Sequence, residues 1–193
     1  MKGLTLIIVI ALVVVGFMGC NGYNGLVKED ENVKKTWNNV QSEYQKRNDL
    51  VGNLVNTVKG AAKFEQETLT KVIEARSKAT SVNVSPENLT PENIQKFQAA
   101  QGQVSSALSR LLAVVESYPD LKANQNYLQL QGQLEGIEND IRASRQTFNT
   151  AINSYNNKVR SFPMNILGGM FGFKAKEGFQ SDPGADKSPK VEF

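Results

Sequence analysis

The sequence predicts an all-α protein, an N-terminal transmembrane helix followed by an antiparallel bundle of three to four long helices. Three observations carry this. The run LTLIIVIALVVVGFM, Leu4 to Met18, has neither charge nor proline and sits inside an uncharged stretch from Gly3 to Val27. From Val33 onward apolar residues recur at alternating steps of four and three, the stripe of an amphipathic helix packed along its length. Prolines and clusters of Ser, Thr and Asn fall at a few points only, with long periodic segments between them.

The N-terminal segment, residues 1–23, is read as a membrane anchor. Twenty helical residues rise about 30 Å, the hydrocarbon thickness of a bilayer, so Leu4 to Tyr23 would span with Tyr23 at the interface. Two alternatives compete. Cys20 is the single cysteine, and Gly19 before it suits a lipoprotein signal that would make a lipidated Cys20 the first mature residue, although Phe17 and Met18 are bulky for one. A simple signal peptide needs small residues at its cleavage site, and Gly16-Phe17-Met18 serves poorly. Flanking charges set no orientation, since Lys2 and the amino terminus oppose Lys28, Lys34 and Lys35.

The bundle is expected over residues 24–163. Its first helix, about Asp30 to Ala79, carries Val33, Trp37, Val40, Tyr44, Val51, Leu54, Val58, Ala61 and Val72 on the stripe, with Gly52 and Gly60 as soft points. The stretch TSVNVSPENLTPEN is a loop, and Thr90-Pro91 reads as an N-cap with proline at the first helical position. A second helix follows with Ile94, Phe97, Gln101, Val104, Leu108, Leu111, Val115 and Tyr118 on its stripe, ended by Pro119. Asp120 is placed to cap a third, whose stripe runs from Tyr127 through Leu134, Glu138, Ile141, Arg145, Phe148 and Tyr155 to Phe162; Pro163 stops it. Residues 164–173, MNILGGMFGF, are a short apolar docking segment that covers the bundle end or lies in a membrane interface with Lys174 and Lys176 toward headgroups. Residues 174–193 have the composition of a mobile tail.

Composition removes several function classes. The chain has no histidine, which takes away the commonest general base and metal ligand, and one cysteine, which excludes a cysteine-based zinc site. Interspersed charges with a net of +3 do not make a nucleic-acid surface. No phosphate loop, nucleophile elbow or dinucleotide fingerprint is present. No catalytic, cofactor-binding or metal site is therefore expected, and no enzyme. What stands out is charge on the stripe: Arg47, Glu65, Glu138 and Arg145 occupy positions that the spacing assigns to apolar side chains. Buried charge is costly unless paired, so these residues are read as interhelical pairs that fix register, Arg47 with Glu138 or Arg145 with Glu65, or else as a polar site for a partner.

The segments YNGLV (Tyr23–Val27), YQKRNDLVGNLVNTVKG (Tyr44–Gly60), LQGQLEGIENDIRASRQTFNTAINSYN (Leu130–Asn156), RSFP (Arg160–Pro163) and MFGF (Met170–Phe173) together resemble the LemA family. That resemblance implies a bacterial single-pass membrane protein with a long helical bundle, and it brings no reaction with it. Its links are to membrane-organelle formation and to the neighbourhood of membrane peptidases. The family's motifs fall on Arg47, Asp49 and Leu50, then Asn53, on Glu138 and Asn139, on Arg145, and on Phe162 and Pro163. Three departures stand out: Gly52 where the family often has proline, Phe64 where it often has histidine, and Asp140 where it usually has arginine. The last removes a cation that an anion site there would need. The expected function is a membrane-anchored helical scaffold or adaptor in the cell membrane. It would contact lipid through its anchor and a protein partner of unknown identity. Membrane shaping by self-association is the alternative, as is an exported lipoprotein.

Overall fold

The computed structural model describes residues 2–60 and 65–180; within the first eighteen residues, the side chains at 2, 4, 5, 8, 11, 12, 14, 15 and 18 lie outside that description. The elements are α1 (Lys2–Lys59), α2 (Gln66–Ser81), α3 (Pro91–Val115), α4 (Pro119–Lys122), α5 (Gln125–Arg160) and α6 (Met164–Met170). Among the described residues there is no strand, and the all-α class holds. Among the described residues, too, no helix is long and apolar enough to cross a membrane. The expected transmembrane segment coincides with the start of α1, where many side chains are outside the described set, and it gains no support from that criterion.

Four long helices make the bundle, because the expected first helix is two. α1 ends at Lys59, where the Gly60 N–H reaches back to Asn56 O at 3.3 Å, and α2 begins after an extended Glu65. α2 returns beside α1 and is tied to it by the Arg76 Nε–H, which donates to Asn48 O at 2.7 Å. The spacing continues across the break, which hid it. Glu65, one of the two charges on that stripe, stands where the helix restarts. Past it the buried face shifts to Leu69, Val72, Ala75 and Ala79.

Capping fixes the remaining boundaries. Thr90 accepts from the Asn93 N–H at 3.3 Å, with Pro91 at the first position of α3. Asp120 does not cap the next long helix. It lies in the single turn of α4, and Asn124 caps α5 instead, its Oδ1 accepting from the N–H groups of Asn126 at 2.9 Å and Tyr127 at 3.2 Å. An asparagine serves this role as well as aspartate, and the extra turn places it four residues further on. Pro163, after a cis peptide bond, leads into α6.

α1 and α5 run antiparallel along most of their length, α2 and α3 form a hairpin beside them, and α6 folds back on α1 and α5. The core has two parts. One gathers Val33, Trp37, Val40, Tyr44, Phe97, Ile141, Phe148 and Tyr155; the other Val51, Leu54, Val58, Val72, Val104, Leu111 and Leu134. Trp37 also holds the α2–α3 loop, donating its indole N–H to Val84 O at 2.8 Å.

The C-terminal segment departs from the expected mobile tail over residues 174–180, which lie as an extended strap along α5. The Asn156 side chain accepts from the Lys176 N–H and donates to its carbonyl, both at 2.8 Å. Asn149 does the same for Phe179, at 2.9 and 3.1 Å. The remainder of that tail, 181–193, lies outside the described residues.

Candidate functional site

Between the two cores lies one polar layer. On α1 the stripe reads Tyr44, Arg47, Val51; on α3, Phe97, Gln101, Val104; on α5, Leu134, Glu138, Ile141. In each helix the outer pair belongs to the two apolar cores and the middle residue is polar. Antiparallel packing brings the three middle residues together. Arg47 is 1% exposed. Its Nη1 donates to Glu138 Oε1 at 3.0 Å and to Ser105 Oγ at 2.8 Å. Its Nη2 donates to Gln101 O at 3.0 Å and Gln101 Oε1 at 2.8 Å. The guanidinium lies 4.9 Å from the centre of the Tyr44 ring. Arg47 Nε makes no hydrogen bond, and neither does Asn48 Oδ1 beside it. One buried cation on α1 thus recovers most of its lost hydration from α3 and α5, which only a fixed register of the three helices permits.

The other predicted residues separate. Arg145 and Glu65 do not pair. Arg145 stacks on Phe179 at 4.7 Å and donates to Gln180 O at 3.3 Å, while Glu65, at the entry to α2, accepts from Thr68 Oγ1 at 2.9 Å. Asp49, Asn53 and Asn139 are exposed, and Asn139 accepts from Arg142 Nη1 at 3.1 Å. Cys20 is a free, exposed thiol on α1. Arg142 and Arg145 join the Arg47 layer around an open cleft of about 480 Å³. Among the described residues no group of His, Cys, Asp and Glu could hold a metal ion.

Sequence reasoning missed the strap and its receiving face. Phe179 plugs into a pocket of Trp37 and Phe148, with ring centres 5.9 and 5.6 Å away. Lys176 reaches Asp30 at 3.0 Å and lies over the Tyr155 ring at 5.3 Å, so it does not point toward headgroups. Burial pushes the Asp30 carboxyl up, but hydrogen bonds and charge from Lys176 and Lys34 outweigh it and hold the group below its usual value. Burial, with Asp30 nearby, pushes the Tyr155 phenol up to about 12. The one available signal was Asn149 and Asn156, seven apart on one helix face beside an apolar stripe.

The LemA family profile matches residues 36–193. The chain belongs to the LemA family. Similar proteins are Magnetosome protein MamQ 2 of Paramagnetospirillum magneticum, 28% identical over 181 residues, and Magnetosome protein MamQ of Magnetospirillum gryphiswaldense, 26% identical over the same length; each alignment covers 85% of this chain and 66% of the relative. Protein LemA of Metamycoplasma hominis is 26% identical over 144 residues, 75% of this chain and 62% of that protein. The chain thus spans about two thirds of the length of these relatives. In this LemA-family chain the two longest motif segments, Tyr44–Gly60 and Leu130–Asn156, are antiparallel neighbours on α1 and α5, and Arg47 with Glu138 joins them.

Proposed function

We propose that this LemA-family chain is a membrane-anchored helical scaffold, without catalytic activity, that holds a rigid bundle at a bilayer surface to engage a protein partner. The observation that carries the reading is the change along α1. Leu6, Ile7, Val9, Ile10, Val13 and Phe17 are 54–71% exposed, whereas from Leu26 the same unbroken helix buries one residue after another in the bundle core. Large apolar side chains left uncovered in a row need a non-aqueous environment. The relatives named as magnetosome proteins agree with the link to membrane organelles that the family carries. A slim bundle whose polar groups are spent on its own register supports holding rather than turnover. The test is the intact mass of the protein purified from membranes, with its N-terminal peptide sequenced and its extraction by alkaline carbonate measured. A chain that begins at Met1 or Lys2 and resists extraction fits the proposal. A chain that begins at a lipid-modified Cys20 replaces the anchor by a lipoprotein, and release by carbonate overturns membrane attachment through α1.

A further inference from the structure

We propose that α6 and its flanking aromatic residues form an apolar collar around α1 that seats in the lipid interface and fixes the height of the bundle above the membrane. The inference rests on the anchor reading and adds a second, independent contact with lipid. α6 has two faces. Met164 and Gly168, four apart, are buried against α1, while Ile166 and Met170, also four apart, stand 62% and 80% exposed. Phe162 and Phe171, at the two ends of the element, are 75% and 54% exposed. Four uncovered side chains of this size on one short segment form a patch that a soluble surface rarely carries.

The position of the patch selects its occupant. α6 docks on α1 where the uncharged stretch ends. Leu167 packs at Gly19, 3.7 Å from where a Cβ would stand; a Cβ at Gly22 would run into the Met164 sulfur; Leu26 packs at Gly168. Tyr23, expected at the water boundary, meets the Phe171 and Phe173 rings edge-on at 5.2 and 5.7 Å. The collar therefore lies just past Phe17, the last exposed large apolar side chain of the N-terminal run on α1. Lys28, Arg160 and Lys174 stand exposed around it, of the sign that anionic headgroups attract, with half-buried Glu29 and exposed Glu177 among them. Aromatic residues at the boundary, apolar side chains below and basic ones above describe an interfacial element.

The test uses the full chain with Cys20→Ser in mixed phosphatidylethanolamine and phosphatidylglycerol vesicles. Single cysteines at Val9, Ile166, Met170 and Lys59, all exposed, take a spin label whose collisions with oxygen and with a water-soluble nickel complex are compared. Helicity by circular dichroism confirms each fold. Labels at Ile166 and Met170 that, like Val9, meet oxygen more than nickel support the collar. Labels there as open to nickel as Lys59, with Val9 still in lipid, overturn the collar and leave the anchor standing. A Val9 label open to nickel overturns the anchor and the collar with it. Spin–spin broadening at Ile166 and Met170, with shielding from both reagents, means a second copy covers the patch and overturns lipid as its occupant.

Discussion

Arg47 and Glu138 form a pair whose two members are unequally exposed, and the inequality decides what each substitution costs. The Arg47 side chain is 2% exposed and the Glu138 side chain 40%. Removing the arginine leaves a void between two cores and strips Gln101 and Ser105 of their donor. Arg47→Ala should therefore cost about 3–5 kcal/mol, the range for a broken buried pair. Glu138 can turn to water, and Arg47 keeps three other hydrogen bonds, so Glu138→Gln should cost about 1 kcal/mol or less. Replacing both with apolar side chains, Arg47→Met with Glu138→Leu, should recover most of the loss by joining the two cores. Denaturant unfolding of the detergent-solubilised chain measures all three; a double variant as weak as Arg47→Ala would mean the layer stabilises by more than its charge pairing. The second pair weighed from sequence makes the opposite prediction. Glu65 and Arg145 touch different groups, so a double-mutant cycle between them should give coupling below about 0.5 kcal/mol, and a larger value would show that the two residues meet.

The strap along α5 is held by the Asn149 and Asn156 amides on its backbone, by the Phe179 plug and by the Lys176–Asp30 ion pair. A Cβ at Gly178 would overlap Asn149 Oδ1, the atom that accepts from Phe179. Gly178→Val should dislodge the strap and withdraw Phe179 from the core around Trp37, leaving the second core untouched. Losing two hydrogen bonds of about 1 kcal/mol each predicts a tenfold to hundredfold rise in tryptic cleavage after Lys174 and Lys176, read by mass spectrometry; unchanged cleavage would show that the plug alone suffices. Acid should act through Asp30. Its carboxyl titrates below its ordinary value in the folded chain, so its contact with Lys176 stabilises the strap above that ordinary value and is lost as pH falls through the lower folded one. Cleavage by an acid-active protease such as pepsin should then rise between pH 4 and pH 2 in the native chain, while Asp30→Asn should already show the loosened rate at the upper end. These elements also show what the sequence made legible. The stripe placed α3 and α5, because a helix packed along its length repeats its burial every turn. It joined α1 to α2 because Val72 keeps the spacing of the α1 stripe although the rest of the buried face of α2 shifts. The strap left no period at all, being recognised through its backbone by Asn149 and Asn156, and with it the true partner of Arg145 stayed hidden. Arg47 and Glu138 were legible as charges interrupting an apolar stripe, but so were Arg145 and Glu65, and only the packing shows which of the four meet.

At the scale of the whole molecule, α1 is a single 58-residue helix that carries both the exposed apolar start and the buried far core. The anchor and the bundle therefore cannot pivot freely unless that helix bends. With Tyr23 at the interface, Lys59 stands about 54 Å further along the axis, at 1.5 Å per residue. On the proposed anchor and collar, α6, packed at Gly19 to Leu26, would resist tilting, because any lean would lift one side of its apolar patch out of lipid. The bundle should then stand off the membrane, presenting the Lys59 end of α1, not its flank, to partners. Energy transfer to a headgroup acceptor checks this in vesicles, using the Cys20→Ser chain with a donor dye on Lys59→Cys or Arg160→Cys. Arg160 ends α5 beside the collar, so transfer should be efficient there and weak from Lys59. Equal transfer from both sites would mean that the bundle lies along the surface and that α1 bends between anchor and core. In that case Gly52, whose neighbour across the interface is the Arg76 guanidinium, is the first place to look for the hinge.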